Sequence, residues 1–208
     1  MDKKVLWNLS YGVYVVSTLD NNRPTGCIAN SIMQITYDTV AVSVNHDNFT
    51  NECIKKSRKF AISILGEKCD ENIIPTFGFQ TGRTVDKFAQ VNSETIDGLQ
   101  VIKNSVGYLI CDVDDILETE THTVFLGKIK DGACLQNDTP MTYAYYHQIK
   151  NGKSPKNAPT YIEENVSTNE IAYKCRICGY IYNGDITQEP EEFLCPICKQ
   201  PKSVFVKI

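Results

Sequence analysis

The sequences YKCRICGYIYNGD (residues 173–185) and FLCPICK (residues 193–199) decide the fold of the C-terminal part of the chain. Each contains one Cys-x-x-Cys pair, and 16 residues separate the two pairs. A hairpin of that length brings two tight turns together, and four thiolates in a tetrahedron suit Zn²⁺ or a single iron. The pattern therefore predicts a metal centre, and its spacing leaves the metal undecided. The predicted ligands are Cys175, Cys178, Cys195 and Cys198.

Five further cysteines stand singly in mostly apolar surroundings. They are Cys27, Cys53, Cys69, Cys111 and Cys134. The odd total of nine cysteines does not suggest a disulfide framework. Because a free cysteine behaves as a small apolar residue, we expect all five to be buried.

The overall composition is that of a folded protein without a nucleic-acid-binding surface. Of the 208 residues, 42% are hydrophobic, which is enough for one domain with a core and a small appendage. The net charge of −4 argues against nucleic acid as a partner. Neither a signal peptide nor a run of about 18 apolar residues is present, so we expect no membrane span and a cytoplasmic location.

Short segments with alternating or β-branched residues recur through the first two thirds of the chain. We predict strands at 11–18, 26–36, 39–45, 59–65, 107–113 and 122–130, a turn at 21–24, a helix at 49–58 and short helical pieces within 67–90. This pattern indicates a mainly β fold with peripheral helices, and an antiparallel barrel in preference to a doubly wound parallel sheet. The chain then divides into a barrel at 1–161, a polar linker at 162–171 and a metal domain at 172–208.

Candidate nucleotide contacts lie outside the usual motifs, because the barrel sequence has no Gly-x-Gly and no P-loop. In GCIANSIMQIT (26–36), small and polar residues would let a flat ring approach the backbone, although an edge strand ending in a loop would look the same. In VNHDNFT (44–50), polar residues cluster at a predicted helix start. Free N–H groups there bind phosphate, and plain helix capping is the alternative.

Three charged or titratable residues complete the candidates. Arg83 and Lys87 could meet phosphate or ribityl oxygens, and solvated surface is the alternative for both. His122 could lie over a cofactor or nicotinamide, and a structural role is the alternative.

The tail, residues 173–208, resembles the short rubredoxin domain found at the end of rubrerythrin-type proteins. This resemblance implies one iron that cycles between ferric and ferrous, held by the four cysteines, with zinc as the alternative. One position departs from the family pattern, since Lys199 stands where Gly usually follows the second pair.

Residues 8–161 resemble the flavin reductase family, the FMN-binding split barrel. The matching stretches, in chain order, are GCIANSIMQIT, VNHDNFT, SRKFAISIL, FGFQTGRTVDKF, ETHTVFLGKI and TPMTYAYYH…KSPKNAPTY. The resemblance implies a homodimer that holds one FMN per subunit and reduces it with NADH or NADPH. By position, the implied contacts are Ala29, Asn30, Ser31 and Ile32 at the isoalloxazine, Asn45, Asn48 and Thr50 at the ribityl chain and phosphate, Arg83 and Lys87 nearby, and His122 on the nicotinamide side.

The whole chain is similar to the family of high molecular weight rubredoxins, which implies electron transfer from a nicotinamide to an A-type flavo-diiron protein that reduces oxygen or nitric oxide. NAD(P)H delivers two electrons as a hydride, and a single iron accepts one, so a flavin between them would join the two steps. Two other hypotheses remain open. One is a plain flavin reductase with a structural zinc tail, and the other is a non-enzymatic flavin or redox sensor with a zinc ribbon.

Overall fold

A computed structural model describes residues 3–89, 91–148 and 172–208. The strands are β1 (Tyr14–Asp20), β2 (Arg23–Ala29), β3 (Ile32–Thr36), β4 (Thr39–Asn45), β5 (Lys59–Ile64), β6 (Ser93–Ile96), β7 (Leu99–Ile102), β8 (Gly107–Glu118), β9 (His122–Cys134), β10 (Ala172–Cys175), β11 (Ile181–Asn183) and β12 (Phe205–Lys207). The helices are α1 (Phe49–Ser57), α2 (Ile73–Phe79) and α3 (Tyr143–Gln148), with 3₁₀ turns at Lys3–Asn8, Ile186–Gln188 and Lys202–Val204.

Seven antiparallel strands form the main sheet, in the order β2-β1-β5-β8-β9-β4-β3. The tight β1–β2 hairpin turns at Asn21 and Asn22, whose φ angles of 48° and 74° match the left-handed conformation that two-residue hairpin loops need. The β8–β9 ladder has two register shifts, at Ile110/Cys111 and Val113/Asp115. Such bulges bend a strand and increase its twist, so the sheet curls.

The curled sheet encloses a core to which its two ends both contribute. Cys27 of β2 and Val42 of β4 belong to one buried cluster, together with Phe60, Phe125 and Ile54 of α1. Adjacent residues of β1 point to opposite faces, since Val16 joins this cluster while Val15 joins a second one. The second group, here called the outer barrel cluster, packs α2 and α3 against the sheet. It consists of Val13, Val15, Leu65, Cys69, Ile73, Ile74, Phe77, Phe88, Ile102, Met141, Tyr143 and Tyr146.

The C-terminal residues form a small separate sheet in the order β11-β10-β12. Its core, here called the metal-domain cluster, consists of the cysteines 175, 178, 195 and 198 with Ile186 and Phe205. The linker predicted at 162–171 lies outside the described residues. Within the described ranges no helix has the length and apolar character needed to cross a bilayer, and the longest, α1, has nine residues.

The mainly β fold with peripheral helices is confirmed, and several details differ from the sequence prediction. The segment 26–36 is two strands, because the chain leaves the sheet at Asn30 and Ser31. The predicted turn at 21–24 is shorter, since Arg23 already pairs with Asp20 in the hairpin. The strands that begin at Gly107 and His122 run on to Glu118 and Cys134, beyond the predicted ends.

The prediction of five buried lone cysteines is wrong at one position. Cys27, Cys53, Cys69 and Cys111 are buried, whereas Cys134 is exposed. Cys134 is the last residue of β9 and pairs with Gly107 at the end of the ladder, beyond the part of the strand that faces the core. The apolar residues next to Cys134 in the sequence therefore did not reveal that β9 has left the core at this point.

We predict that Gly127→Ala destabilises the barrel. A Cβ at Gly127 of β9 would overlap the ring of Phe60 and lie 3.0 Å from Cβ of Cys111. Both neighbours are fully buried, so neither can move aside cheaply, and overpacking of this kind costs about 1–3 kcal/mol. Urea unfolding followed by circular dichroism measures the loss. Lys130→Ala, at an exposed residue of the same strand, is the control, and equal stability of the two variants would contradict the packing argument.

Candidate functional site

The four predicted metal ligands lie together in the metal domain. Their Sγ atoms are all within 4.8 Å of one another, and all four residues are buried. Cys175 Sγ lies 3.7 Å from Cys198 Sγ, and Cys178 Sγ lies 3.5 Å from Cys195 Sγ. A tetrahedron with metal–sulfur bonds of about 2.3 Å requires sulfur–sulfur separations of about 3.8 Å, so the cluster fits one tetrahedral ion.

Two equivalent turns hold the cysteines. Gly179 N donates to Cys175 O, and Lys199 N donates to Cys195 O, each at 2.9 Å. Both residues are left-handed, with φ of 78° for Gly179 and 55° for Lys199. The second turn therefore keeps the backbone geometry of the first, although a lysine occupies a conformation that favours glycine.

Aromatic rings surround the cluster and limit the access of water. Phe193 packs edge-on against Tyr182 and Phe205, with ring centroids 5.6 and 6.0 Å apart, and Tyr180 packs against Phe205 at 6.4 Å. An apolar shell of this kind controls the dielectric around a metal site and, for a redox metal, its reduction potential.

A second site is an open pocket of about 250 Å³ on the barrel. It lies where the ends of β2 and β4 and the start of α1 meet the C-terminal end of α2. The lining residues are 27–30, 43–45, 47–49, 77–81, His122, Tyr143 and Ile177.

Polar side chains on one wall of the pocket are tied to nearby backbone. Asn48 caps α1, since its Oδ1 accepts from Thr50 N at 3.2 Å. Asn45 Oδ1 accepts from Asp47 N at 2.8 Å. The capping alternative is thus realised, and both asparagines line the pocket as well.

The break between β2 and β3 forms another wall. Ala29 and Asn30 line the pocket and are buried. Ser31 and Ile32 do not line it. Ser31 instead joins β4 through a hydrogen bond in which Ser43 N donates to its carbonyl oxygen at 3.0 Å.

The two basic candidates, Arg83 and Lys87, lie outside the lining. Arg83 donates to Glu52 Oε2 at 2.7 Å, and its guanidinium lies 4.4 Å from the ring centroid of Phe49. Hydrogen bonds from Lys56 and then Arg83 hold the pKa of Glu52 below its usual range.

Lys87 is buried behind the pocket wall. Its ammonium donates to Gly26 O at 2.8 Å and to Phe77 O at 3.2 Å, which joins β2 to α2. Burial lowers the pKa of Lys87 to about 8. Burial also raises the pKa of the nearby Cys27 thiol, an effect that the charge of Lys87 opposes.

His122 begins β9 and lines the pocket. The hydroxyl of Thr121 lies 2.8 Å from its Nδ1, which restrains the ring. Thr50 is fully buried inside the start of α1 and does not reach the pocket.

The structure therefore brings five of the ten predicted barrel residues into one pocket. These are Ala29, Asn30, Asn45, Asn48 and His122. Sequence reasoning missed the aromatic wall of Phe77 and Phe79 and the contribution of Tyr143, although FGFQT and MTYAYYH lie in the stretches that carry the family resemblance. Nothing in the sequence pointed to Ile177, because it comes from the other domain.

The pocket has features that fit a flavin. Phe77, Phe79 and Tyr143 offer flat apolar surfaces, and Asn30, Asn45 and Asn48 offer amide donors and acceptors around them. The small side chain of Ala29 and the backbone break that follows it leave room for a ring close to the main chain.

Two protein families match separate parts of the chain. The flavin reductase like domain matches residues 6–151, and the rubrerythrin, rubredoxin-like domain matches residues 173–206. The chain belongs to the flavin reductase-like family, which makes it an oxidoreductase, and it carries a rubredoxin-like domain at its C-terminal end.

Individual relatives match either the whole chain or a part of it. The chain is 36% identical to the high molecular weight rubredoxin of Moorella thermoacetica over all of both chains, which confirms the whole-chain resemblance. It is 34% identical to the ferric-chelate reductase (NAD(P)H) of Archaeoglobus fulgidus, over 78% of this chain and 99% of that one. Among solved structures, the flavin reductase PheA2 superposes with a TM-score of 0.59 at 27% identity, over 68% of this chain and 93% of that one.

We predict that Lys199→Gly stabilises the metal domain by about 1 kcal/mol, because glycine adopts a left-handed φ without the steric cost that a lysine Cβ adds. Thermal unfolding followed through metal–thiolate absorption measures the change. Arg176→Gly, at a position without positive φ in the first turn, is the control and should destabilise. A destabilised Lys199→Gly variant would contradict the strain argument.

We predict a pH-dependent stability difference between the wild type and Lys87→Met in flavin-free protein. The folded-state pKa of about 8 lies below the ordinary value of 10.5, so between these values the unfolded chain binds more protons. The contribution of Lys87 to the free energy of unfolding therefore rises with pH through that window, and a methionine, which does not titrate, makes no such contribution. Denaturant unfolding between pH 7 and pH 10 should show that the free energy of unfolding of the wild type increases with pH relative to that of Lys87→Met. Lys103→Met, at an exposed lysine, is the control, and a pH-independent difference for Lys87→Met would contradict the prediction.

Proposed function

We propose that the protein is an NAD(P)H-dependent oxidoreductase that passes electrons through bound FMN to a four-cysteine iron centre and on to a partner protein. The observation that carries this proposal is the presence, in one chain, of a pocket suited to a flavin and a buried cluster of four thiols suited to one redox ion. The barrel, linker and metal domain are taken as 1–161, 162–171 and 172–208.

The pocket residues suit the binding and orientation of FMN. The single phosphate would lie towards the start of α1 and the side chains of Asn45 and Asn48, where helix N–H groups favour an anion. Asn30 and the aromatic wall would hold the ring. Lys87 and Arg83 would act through the walls that they brace, since neither lines the pocket. Bound flavin supplies the change from two-electron to one-electron transfer.

His122 would lie on the nicotinamide side of the pocket. Its contact with Thr121 orients the ring for binding, and no proton transfer is required of it. Either NADH or NADPH fits this role, and the relative from Archaeoglobus fulgidus is named for NAD(P)H.

With iron bound by the four cysteines, the metal domain would be the site from which electrons pass to a partner protein. Four thiolates and an aromatic shell suit a one-electron iron–thiolate centre. We propose a redox partner such as an A-type flavo-diiron protein, and a cytoplasmic site of action.

We also propose a homodimer, which the exposed side chains near one edge of the main sheet support. β3 is an edge strand, and Met33, Ile35 and Tyr37 are 62%, 46% and 95% exposed on it and just after it. Apolar edges of this kind are usually covered in the functional assembly.

A second candidate function is a flavin reductase that releases its product, with zinc in the tail. The sulfur–sulfur separations fit zinc as well as they fit iron, because zinc and iron thiolate tetrahedra have similar dimensions. Metal analysis and the visible spectrum of aerobically purified protein separate the two: iron–thiolate absorption supports the relay, and a colourless metal supports the second candidate.

We predict that Cys178→Ser abolishes reduction of an acceptor flavo-diiron protein and spares NAD(P)H-driven reduction of bound FMN, because the cluster loses one of four ligands while the barrel residues of the pocket are unchanged. Both half-reactions are followed anaerobically by absorbance. Cys134→Ser, at the exposed cysteine, is the control and should leave both unchanged. Loss of both half-reactions in a folded, FMN-loaded Cys178→Ser variant would refute the division of labour.

A further inference from the structure

The metal domain contacts the barrel at the rim of the pocket. Phe79, at the C-terminal end of α2, is partly buried and packs against the outer barrel cluster and also against the metal-domain cluster. It is the one apolar residue that both clusters share among the described residues. Phe79 also lines the pocket, so the junction of the two domains and the pocket wall coincide.

The two cysteine turns differ in a way that points to this junction. Ile177 and Ile197 are equivalent by position, because each precedes the second cysteine of its pair. Ile197 is partly buried against the metal-domain cluster. Ile177 is 39% exposed and instead lines the barrel pocket, beside the ligand Cys178. One turn of the metal centre thus faces the pocket, and the other does not.

We propose that Ile177 and Phe79 are positioning residues that dock the metal domain on the pocket of its own chain, and that the docked domain and the nicotinamide compete for that pocket. The inference rests on the proposed function and names the contact through which it operates. Ile177 lines the same pocket as His122 and Tyr143, so a nicotinamide on that side meets the docked turn.

Competition for the pocket, combined with electron balance, implies that docking and undocking alternate. One hydride from NAD(P)H would bring two electrons to the pocket, and a ferric iron held by the four cysteines would accept one of them to become ferrous. Two docking events, each followed by loss of one electron to a one-electron acceptor protein, therefore match one hydride. A metal domain fixed on the pocket would block the next nicotinamide, and a domain that never docked would receive electrons slowly.

The kinetic test compares Ile177→Ala with Ile197→Ala in the full-length FMN- and iron-loaded protein. Anaerobic stopped flow follows the flavin and iron bands separately after mixing with NADH or NADPH. We expect Ile177→Ala to slow iron reduction about tenfold, since an isoleucine side chain that lies against the pocket contributes on that order to a docking equilibrium. The apparent Kd for the nicotinamide should fall, because the open state is more populated.

These opposite changes separate positioning from a general structural defect, which would weaken both steps. Ile197→Ala should change neither constant, provided that its iron–thiolate spectrum is intact. Equal effects in the two variants, an unchanged rate of iron reduction in Ile177→Ala, or a higher nicotinamide Kd would each overturn the proposal.

A second readout needs no turnover. Isoleucine-methyl NMR of the full-length chain with Zn²⁺ in place of iron should show NOEs from the Ile177 methyl to aromatic protons of the pocket. The Ile197 methyl, in the same spectrum, should show NOEs to metal-domain rings alone. Missing Ile177 NOEs refute the docking contact even when iron reduction is normal. A wild-type iron that stays ferric beside reduced flavin refutes the proposed function, and the positioning role with it.

Discussion

Four thiolates buried within 4.8 Å of one another repel one another strongly, and a metal cation between them would compensate their charge. Hydrogen bonding among the four sulfurs lowers the pKa of Cys175 and raises that of Cys178, so the four groups titrate as one coupled set. The metal domain has about three dozen residues, too few for a stable apolar core alone, so metal binding and folding are coupled there. The position of Ile177 at the barrel pocket therefore depends on the bound metal ion.

The pocket depends on a different kind of restraint. Its polar wall is fixed through side-chain-to-backbone hydrogen bonds at Asn45 and Asn48, and its aromatic wall is fixed by Lys87, which bonds the carbonyl oxygens of Gly26 and Phe77. A buried ammonium that satisfies two carbonyl groups holds β2 and α2 together. These bonds form within the barrel itself, so the pocket is preorganised for its ligand.

The sequence predicted best what depends on local spacing. Two Cys-x-x-Cys pairs are local signals, as is the helix at Phe49–Ser57 with Asn48 as its cap, and all of these were predictable. The sequence prediction missed the hairpin of β6 and β7, although Asp97-Gly98 is a typical pair for a two-residue hairpin turn. In the structure both residues have positive φ, 48° and 77°. The split at Asn30 and Ser31, the burial of Lys87 and the exposure of Cys134 depend on where distant strands meet, which residue patterns do not encode. Ile177 was unpredictable for the same reason, because its role arises from contact between domains.

In the proposed relay, one chain joins a two-electron donor to a one-electron centre. Anaerobic titration of the FMN- and iron-loaded protein with NADH or NADPH, followed by absorbance, tests it most directly. We expect full bleaching of both chromophores after about 1.5 equivalents of nicotinamide per subunit, because flavin takes two electrons and iron takes one. An end point at about one equivalent, with the metal absorption unchanged, would contradict it.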